Sequence, residues 1–392
     1  MTSGTAARMR EWAGPALLGF GFRPFFLFGC LWSAGAMAVW IAVLSGLLVL
    51  PSRFDPVAWH AHAFLFGYLG AVIGGFLLTA VPNWTGRLPV TGWGLGLLVL
   101  SWGAGRVAVT VSSGLDPLLV AMVDLAFPVA LGAVLLREIL AGRNWRNLPV
   151  LGLLVVFSGA NLLFHIEAGN GVGTRLGLAT AIMMISLIGG RIVPRFTRNW
   201  LVKRNDPHRP VPPMQGLDKA ALALTGLGLM LWTALPENAA SGGLLIVMGC
   251  VHAVRLARWQ GHRTLAEPLL WVLHAGYAFV PLGALTMGAA ILSPDRVPIA
   301  AAQHLWMAGA IGLMTIAVMT RATLGHTGRP LHAGPATLGL YLATVLAVPT
   351  RGAVVFLPDA SNVLYAVSGI CWIAAFAGFV IVYGPMLLRP KP

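Results

Sequence analysis

From residue 25 almost to the C-terminus the chain is a succession of apolar runs, each about 20 residues long, broken by Pro, Gly and charged residues. A helix rising about 1.5 Å per residue needs that length to cross a hydrocarbon core of about 30 Å. A membrane barrel would instead alternate apolar and polar residues in shorter segments. The expected fold is therefore all-α, a polytopic membrane protein, as 57% hydrophobic and only 10% charged residues also imply. Reading the runs against Pro, Gly and charge gives twelve transmembrane helices, near 25–49, 57–81, 91–112, 117–137, 148–167, 176–194, 218–235, 242–258, 268–292, 299–321, 334–350 and 361–387. Little is left over, so a single integral membrane domain is expected, with no sizeable soluble part. The longest polar segment, RNWLVKRNDPHRPVPPMQGLDK, reads as a cytoplasmic linker over about 198–217.

The formal charge of +14 would point to nucleic acid in a soluble protein. Here its distribution explains it better. Placing both termini and alternate loops on one side leaves only Arg53, Arg106, Arg175, Arg296 and Arg351, of 26 Lys and Arg, on the other. That asymmetry orients both termini to the cytoplasm and gives no reason to expect a nucleic-acid partner. The leading MTSGTAARMREWAG precedes a helix too long and too Trp-rich for a cleaved signal, and is expected to be retained. Cys30, Cys250 and Cys371 sit singly in separate apolar runs, without C-x-x-C or C-x-x-C-H, and read as packing residues.

A repeat runs through the helices. The second ends in VPNWTGR (Val81 to Arg87), the sixth in VPRFTR (Val193 to Arg198) and the tenth in LGHTGR (Leu324 to Arg329). His62 precedes Arg87 by the same interval as His304 precedes Arg329, and the middle copy has Thr174 near that place, one residue closer to Arg198. Four helices then make one unit, giving pseudo-repeats of about 25–137, 148–258 and 268–387.

Histidines carry the chemical signal. An ionisable group in a membrane span is costly, so it calls for a partner, and neutral imidazole is the commonest haem and copper ligand. His60 and His62 open the second span in VAWHAHAFLFGY, and side chains two apart on a helix diverge by about 200°. They could address two cofactors on opposite flanks. His304 begins the tenth helix and His165 ends the fifth, and helix direction places all four on the outer side. The competing reading is that each is an interfacial histidine wetted at a helix end. His274, deeper in WVLHAGYAF, is a candidate ligand or haem contact, or else bonds a neighbouring helix. His326, at the cytoplasmic exit of the tenth helix, could meet a propionate or simply line a solvated loop. His208, His252 and His262 receive no role.

Other polar residues narrow the chemistry. Glu167 could bind a metal, relay protons or cap a helix end. Asp124, about two turns into the fourth helix, is a proton-path candidate or a partner for Arg106. Asn161 lies one turn before His165 and could orient it. Tryptophans near helix ends, among them Trp59, Trp84 and Trp306, read as interfacial anchors. Walker, G-x-S-x-G, H-E-x-x-H and Rossmann signatures are missing, so hydrolase and nucleotide chemistry have no support.

Five blocks, GFRPFFLFG (Gly21 to Gly29), WHAHAFLFGY (Trp59 to Tyr68), GGRIVPRFT (Gly189 to Thr197), HAGYAF (His274 to Phe279) and TRATLGHTGRP (Thr320 to Pro330), together resemble the NnrS family along nearly the whole chain. The resemblance implies a twelve-helix bacterial inner-membrane protein carrying haem b and copper and acting in the response to nitric oxide. That family in turn looks like a distant relative of haem-copper oxidases and nitric oxide reductases, whose twelve helices form three four-helix arcs. In those enzymes the second and tenth helices hold a bis-histidine haem, and an H-x-H on the tenth bridges to a second haem. Here the H-x-H is on the second helix and the single histidine on the tenth. No adjacent His-His pair and no His with Tyr four residues on occurs in the expected place, which argues against dioxygen reduction.

The resemblance thus implies that one of His60 and His62 shares a six-coordinate haem with His304, while the other ligates a second haem facing His165. His165 and His274 are then the foremost copper ligands, with Glu167 behind them. Nitric oxide would arrive through lipid, with electrons from a quinol or cytochrome donor that the sequence does not name. A transporter, a sensor or a metal-delivery protein is the alternative expectation.

Overall fold

The computed structural model describes residues 12–85 and 90–390. All regular structure among them is helical. The long helices are α1 (Phe22–Leu44), α2 (56–85), α3 (Gly92–Thr110), α4 (Pro117–Ala141), α5 (Leu148–Ile166), α6 (Val172–Lys203), α7 (Gly216–Ala234), α8 (Ala239–Ala257), α9 (Pro268–Leu292), α10 (299–326), α11 (Pro335–Ala353) and α12 (Ser361–Leu388). Among the described residues ten of these are long and apolar enough to cross a membrane; α7 and α11 are less apolar. The chain is a polytopic, membrane-embedded all-α protein. Large side chains such as Leu97, Leu100, Val129, Val155, Ile370 and Ile381 are exposed, as a lipid-facing surface requires.

Helix starts follow from local chemistry. Asp55 caps α2 by accepting from the Val57 and Ala58 amides at 2.9 and 3.0 Å, with Pro56 in the first turn. Asp116 and Pro117 repeat the device at α4. In each, the carboxylate satisfies amides that have no partner within the helix. Gln215 and Asp218 form a capping box at α7. One boundary differs from expectation: α6 runs through Pro194 to Lys203, so the connection to α7 is 204–215, shorter than the linker read from polarity alone. Within it the His208 amide donates to Asp206 at 2.8 Å and holds that carboxyl below the usual carboxylate range. The leading residues 1–11, and Arg87 at the exit of α2, lie outside the described residues.

Two helices change their winding just after a histidine. α2 is α-helical over Pro56–His62, π-helical over Ala63–Tyr68 and α-helical again over Leu69–Thr85. α10 is α-helical over Ile299–His304, π-helical over Leu305–Leu313 and α-helical over Met314–His326. In each case the wide turn begins at the residue after a histidine. Such stretches disturb the regular i to i−4 ladder and concentrate at functional sites. In α2 two tryptophans meet its carbonyls: Trp32 Nε1 donates to Ala63 O at 2.8 Å and Trp102 Nε1 to Gly67 O at 2.9 Å.

The helices gather into two compact units. The first comprises 1–177, 322–329 and 376–392; the second, 178–321 and 330–375. In the first, α2 is central, with 89% of its apolar window buried against 28% for α1. Arg23, from the GFRPFF block, closes this unit by donating through Nη1 to the carbonyls of Met386, Leu387 and Arg389 at the end of α12. Trp59 and Trp306, expected at the interface, are instead fully buried and donate to Thr110 Oγ1 and Val280 O. Trp84 lies outside the residues whose side chains are described. Cys30 is buried as expected, whereas Cys250 is exposed.

Candidate metal centre

The polar heart of the first unit is assembled from four helices. The cap at Asp55 fixes the start of α2 and so the height of His62, whose ring is 1% exposed. Arg106 comes from the last turns of α3, Asp124 from the second turn of α4, and Asn161 and His165, one turn apart, from α5. All of them are buried. Two glycines let the helices close on this point. A Cβ on Gly105 would lie 2.7 Å from Asp124 Oδ1, and one on Gly67 would lie 2.6 Å from Arg106 Nη1.

Asp124 is the hub. Its Oδ1 accepts from Arg106 Nη2 in an ion pair. Its Oδ2 faces His62 Nε2 at 2.9 Å, His165 Nε2 at 3.0 Å and Asn161 Nδ2 at 2.8 Å. Asn161 Oδ1 lies 3.0 Å from His62 Nε2. The carboxylate and the amide oxygen can only accept, so both imidazoles carry their proton on Nε2 in this arrangement. Phe54, Phe66 and Phe164 surround the His62 ring at centroid distances of 6.5, 5.3 and 4.8 Å. The Nδ1 atom of His165 is buried with no hydrogen-bond partner among the described residues.

This donor set fits a single metal ion. His62, Asp124 and His165 offer two imidazole nitrogens and a carboxylate oxygen within 4.8 Å of one another. Imidazole suits copper, zinc and iron. When a metal takes Nε2, the ring proton moves to Nδ1, and the bonds now made to Asp124 Oδ2 are replaced by coordination. A porphyrin does not fit between the two rings, which meet nearly edge-on at 5.7 Å across a shared carboxylate. A narrow pocket in the same unit reaches Arg106, Asp124, Ser158 and Asn161 through walls that include Phe66 and Phe157.

The other candidates lie elsewhere. His60 leaves α2 on the opposite flank from His62 and stacks on Trp40 at 4.3 Å. His304 donates from Nδ1 to Ala300 O at 2.7 Å, which fixes its tautomer and leaves Nε2 unprotonated when the ring is neutral. His274 Nε2 bonds Thr197 Oγ1 at 2.8 Å, apart from the metal-ligating group. His326 sits against Phe20 and Phe22. Glu167 turns away from His165: its two oxygens accept from the Val172 and Gly173 amides, both at 2.9 Å, and cap the start of α6. Of the two roles open to Asp124, the pairing with Arg106 is the one observed.

A second buried network, in the other unit, involves residues the sequence did not single out. Arg255 donates from Nε to Asp218 Oδ1 at 2.7 Å and from Nη1 to Ser186 O and to the Tyr277 hydroxyl, at 2.9 and 2.8 Å. Tyr277 in turn donates to His252 Nδ1 at 2.9 Å, and His252 Nε2 donates to Thr225 Oγ1 at 2.7 Å. Both nitrogens of His252 are occupied, so the ring has no lone pair left for a metal. Arg255 three residues after His252, with Asp218 opening the preceding helix, was the available signal: charged groups in membrane helices pair with one another.

No curated protein matches the chain. The family model described as NnrS protein does, over residues 16–391. That match covers nearly the full length and contains every block quoted from the sequence, and the chain therefore belongs to the NnrS protein family.

Proposed function

We propose that this protein is a haem- and copper-containing enzyme of the bacterial inner membrane that binds nitric oxide and reduces it, relieving nitrosative stress. The observation that carries the reading is the convergence of His62, Asp124 and His165 on one point, beside a pocket with apolar walls. Copper bound there supplies a redox centre for a small neutral ligand. Phe66, Phe127, Phe157, Leu131 and Leu154 shape an approach that favours an uncharged diatomic arriving from lipid. Asn161 orients the site by bonding both His62 and Asp124. Joining two molecules of nitric oxide into nitrous oxide and water consumes two electrons and two protons. The electrons come from a quinol or a cytochrome.

Haem enters through the family resemblance, with His60 and His304 each a candidate axial ligand. The Nδ1 bond of His304 to Ala300 supports that role, since it leaves Nε2 for coordination. His274 and His326 are secondary candidates for contacts to the macrocycle. α7 and α11 complete a twelve-span, haem-copper-oxidase-like arrangement of three four-helix repeats with both termini cytoplasmic. The matching π-helical stretches after His62 and His304 favour the repeat. The test is nitric oxide consumption by purified protein under an artificial reductant, with metal and haem analysis. Consumption that disappears in His165→Ala supports the reading; a colourless, metal-free protein that is fully helical refutes it.

A further inference from the structure

Arg106 gives the proposed metal site a charge requirement. It pairs with Asp124 Oδ1, while the three other partners of that carboxylate converge on Oδ2. An ion bound at Oδ2 would therefore leave Arg106 in place, one carboxylate away. Among the described residues the guanidinium has no second acceptor: Nε and Nη1 are buried without a hydrogen-bond partner, and Nη1 is wedged against Gly67. Arg106 is 5% exposed, so solvent does not dissipate its charge. Glu167 is committed to the amides of α6 and does not offset it.

The fixed charges of the cluster thus sum to zero before any metal binds: one carboxylate, one guanidinium and two neutral imidazoles. A divalent ion would raise the buried total to two positive charges and a monovalent ion to one. The Asp124 carboxylate by itself favours a divalent ion; taking an effective dielectric of about 20 and a separation of about 5 Å, Arg106 removes on the order of a hundred-fold of that preference. Two imidazoles are borderline donors: they exclude hard monovalent ions such as sodium and accept copper, so the choice between oxidation states falls to charge.

Building on the metal site proposed above, we infer that Arg106 is its specificity determinant, selecting a soft monovalent ion, the cuprous ion, over divalent ions. Arg106 acts through Asp124 rather than by touching the metal.

Silver(I) and zinc(II) test this as redox-inert probes of different charge, titrated by equilibrium competition against chelators into the purified protein in detergent. In the wild type, silver binds at one equivalent and is lost in His165→Ala, while zinc binds far more weakly. Arg106→Gln shifts the silver-to-zinc affinity ratio toward zinc by roughly a hundred-fold, and Arg106→Lys leaves it near the wild-type value. An unchanged ratio in Arg106→Gln, with binding still dependent on His165, overturns the charge requirement but leaves the site standing. Absence of His165-dependent binding of either ion removes the site itself. Should Arg106→Gln not fold, wild type alone decides: after one-electron oxidation of copper(I)-loaded protein by ferricyanide, itself reduced to ferrocyanide, competition against chelators should show the retained copper(II) held roughly a hundred-fold less tightly than copper(I). Retention of copper(II) as tightly as copper(I) overturns the inference.

Discussion

His62 and His165, from helices distant in sequence, direct their Nε2 atoms at the same oxygen, Oδ2 of Asp124, at 2.9 and 3.0 Å. Two imidazoles meeting on one carboxylate oxygen inside an apolar bundle form a cluster able to chelate an ion. The consequences can be measured.

The donor set itself comes first. His62→Ala and His165→Ala should each abolish stoichiometric copper binding, because a carboxylate and one imidazole remain. Asn161→Ala removes an orienting bond to both His62 and Asp124, and should weaken binding by about 10- to 100-fold. Metal analysis after equilibration with a copper(I) buffer checks all three.

The ion pair beneath the site makes a separate prediction. Asp124→Ala leaves Arg106 buried without a counter-charge and should destabilise the protein by about 3 to 5 kcal/mol. Adding Arg106→Ala to that variant should restore part of the loss, since the orphaned charge is removed. A double-mutant cycle on unfolding in detergent reads the coupling.

Glu167 offers a contrast. As a cap on α6 it should contribute about 1 kcal/mol to stability. Glu167→Gln should leave copper content and nitric oxide consumption at wild-type levels while lowering the unfolding midpoint slightly. A loss of turnover with intact copper would restore it as a proton donor.

The network around Arg255 is expected to be structural. Arg255→Met strands Asp218 and removes the donor to Tyr277, so unfolding should become easier by about 3 kcal/mol or more. Copper stoichiometry in the surviving folded fraction should not change. Parallel unfolding and metal measurements on one preparation separate the two effects.

Much of this was legible in the chain because membrane helices announce themselves by length and apolarity, and because ionisable residues stand out within them. The starts of α2, α4 and α9 follow Asp-Pro and Glu-Pro steps that can be read directly. His62, His165, Asp124 and Asn161 were each identifiable as unusual in an apolar span. Their meeting was not, because it depends on how α2, α3, α4 and α5 rotate about their axes. Gly67 and Gly105 permit that approach, but a glycine in a membrane helix does not name its neighbour. The same limit misread Trp59 and Trp306 as interfacial, since a helix-end position does not reveal whether the neighbouring surface is lipid or protein. Arg255, His252 and Tyr277 were passed over because each has an innocuous reading alone.

The most direct test is X-ray absorption at the copper edge of purified, copper(I)-loaded protein, with His165→Ala alongside. One copper per chain is expected, with imidazole scattering from two histidines in the wild type and loss of that centre in the variant. Copper bound equally well in His165→Ala, or coordinated without imidazole, would contradict it.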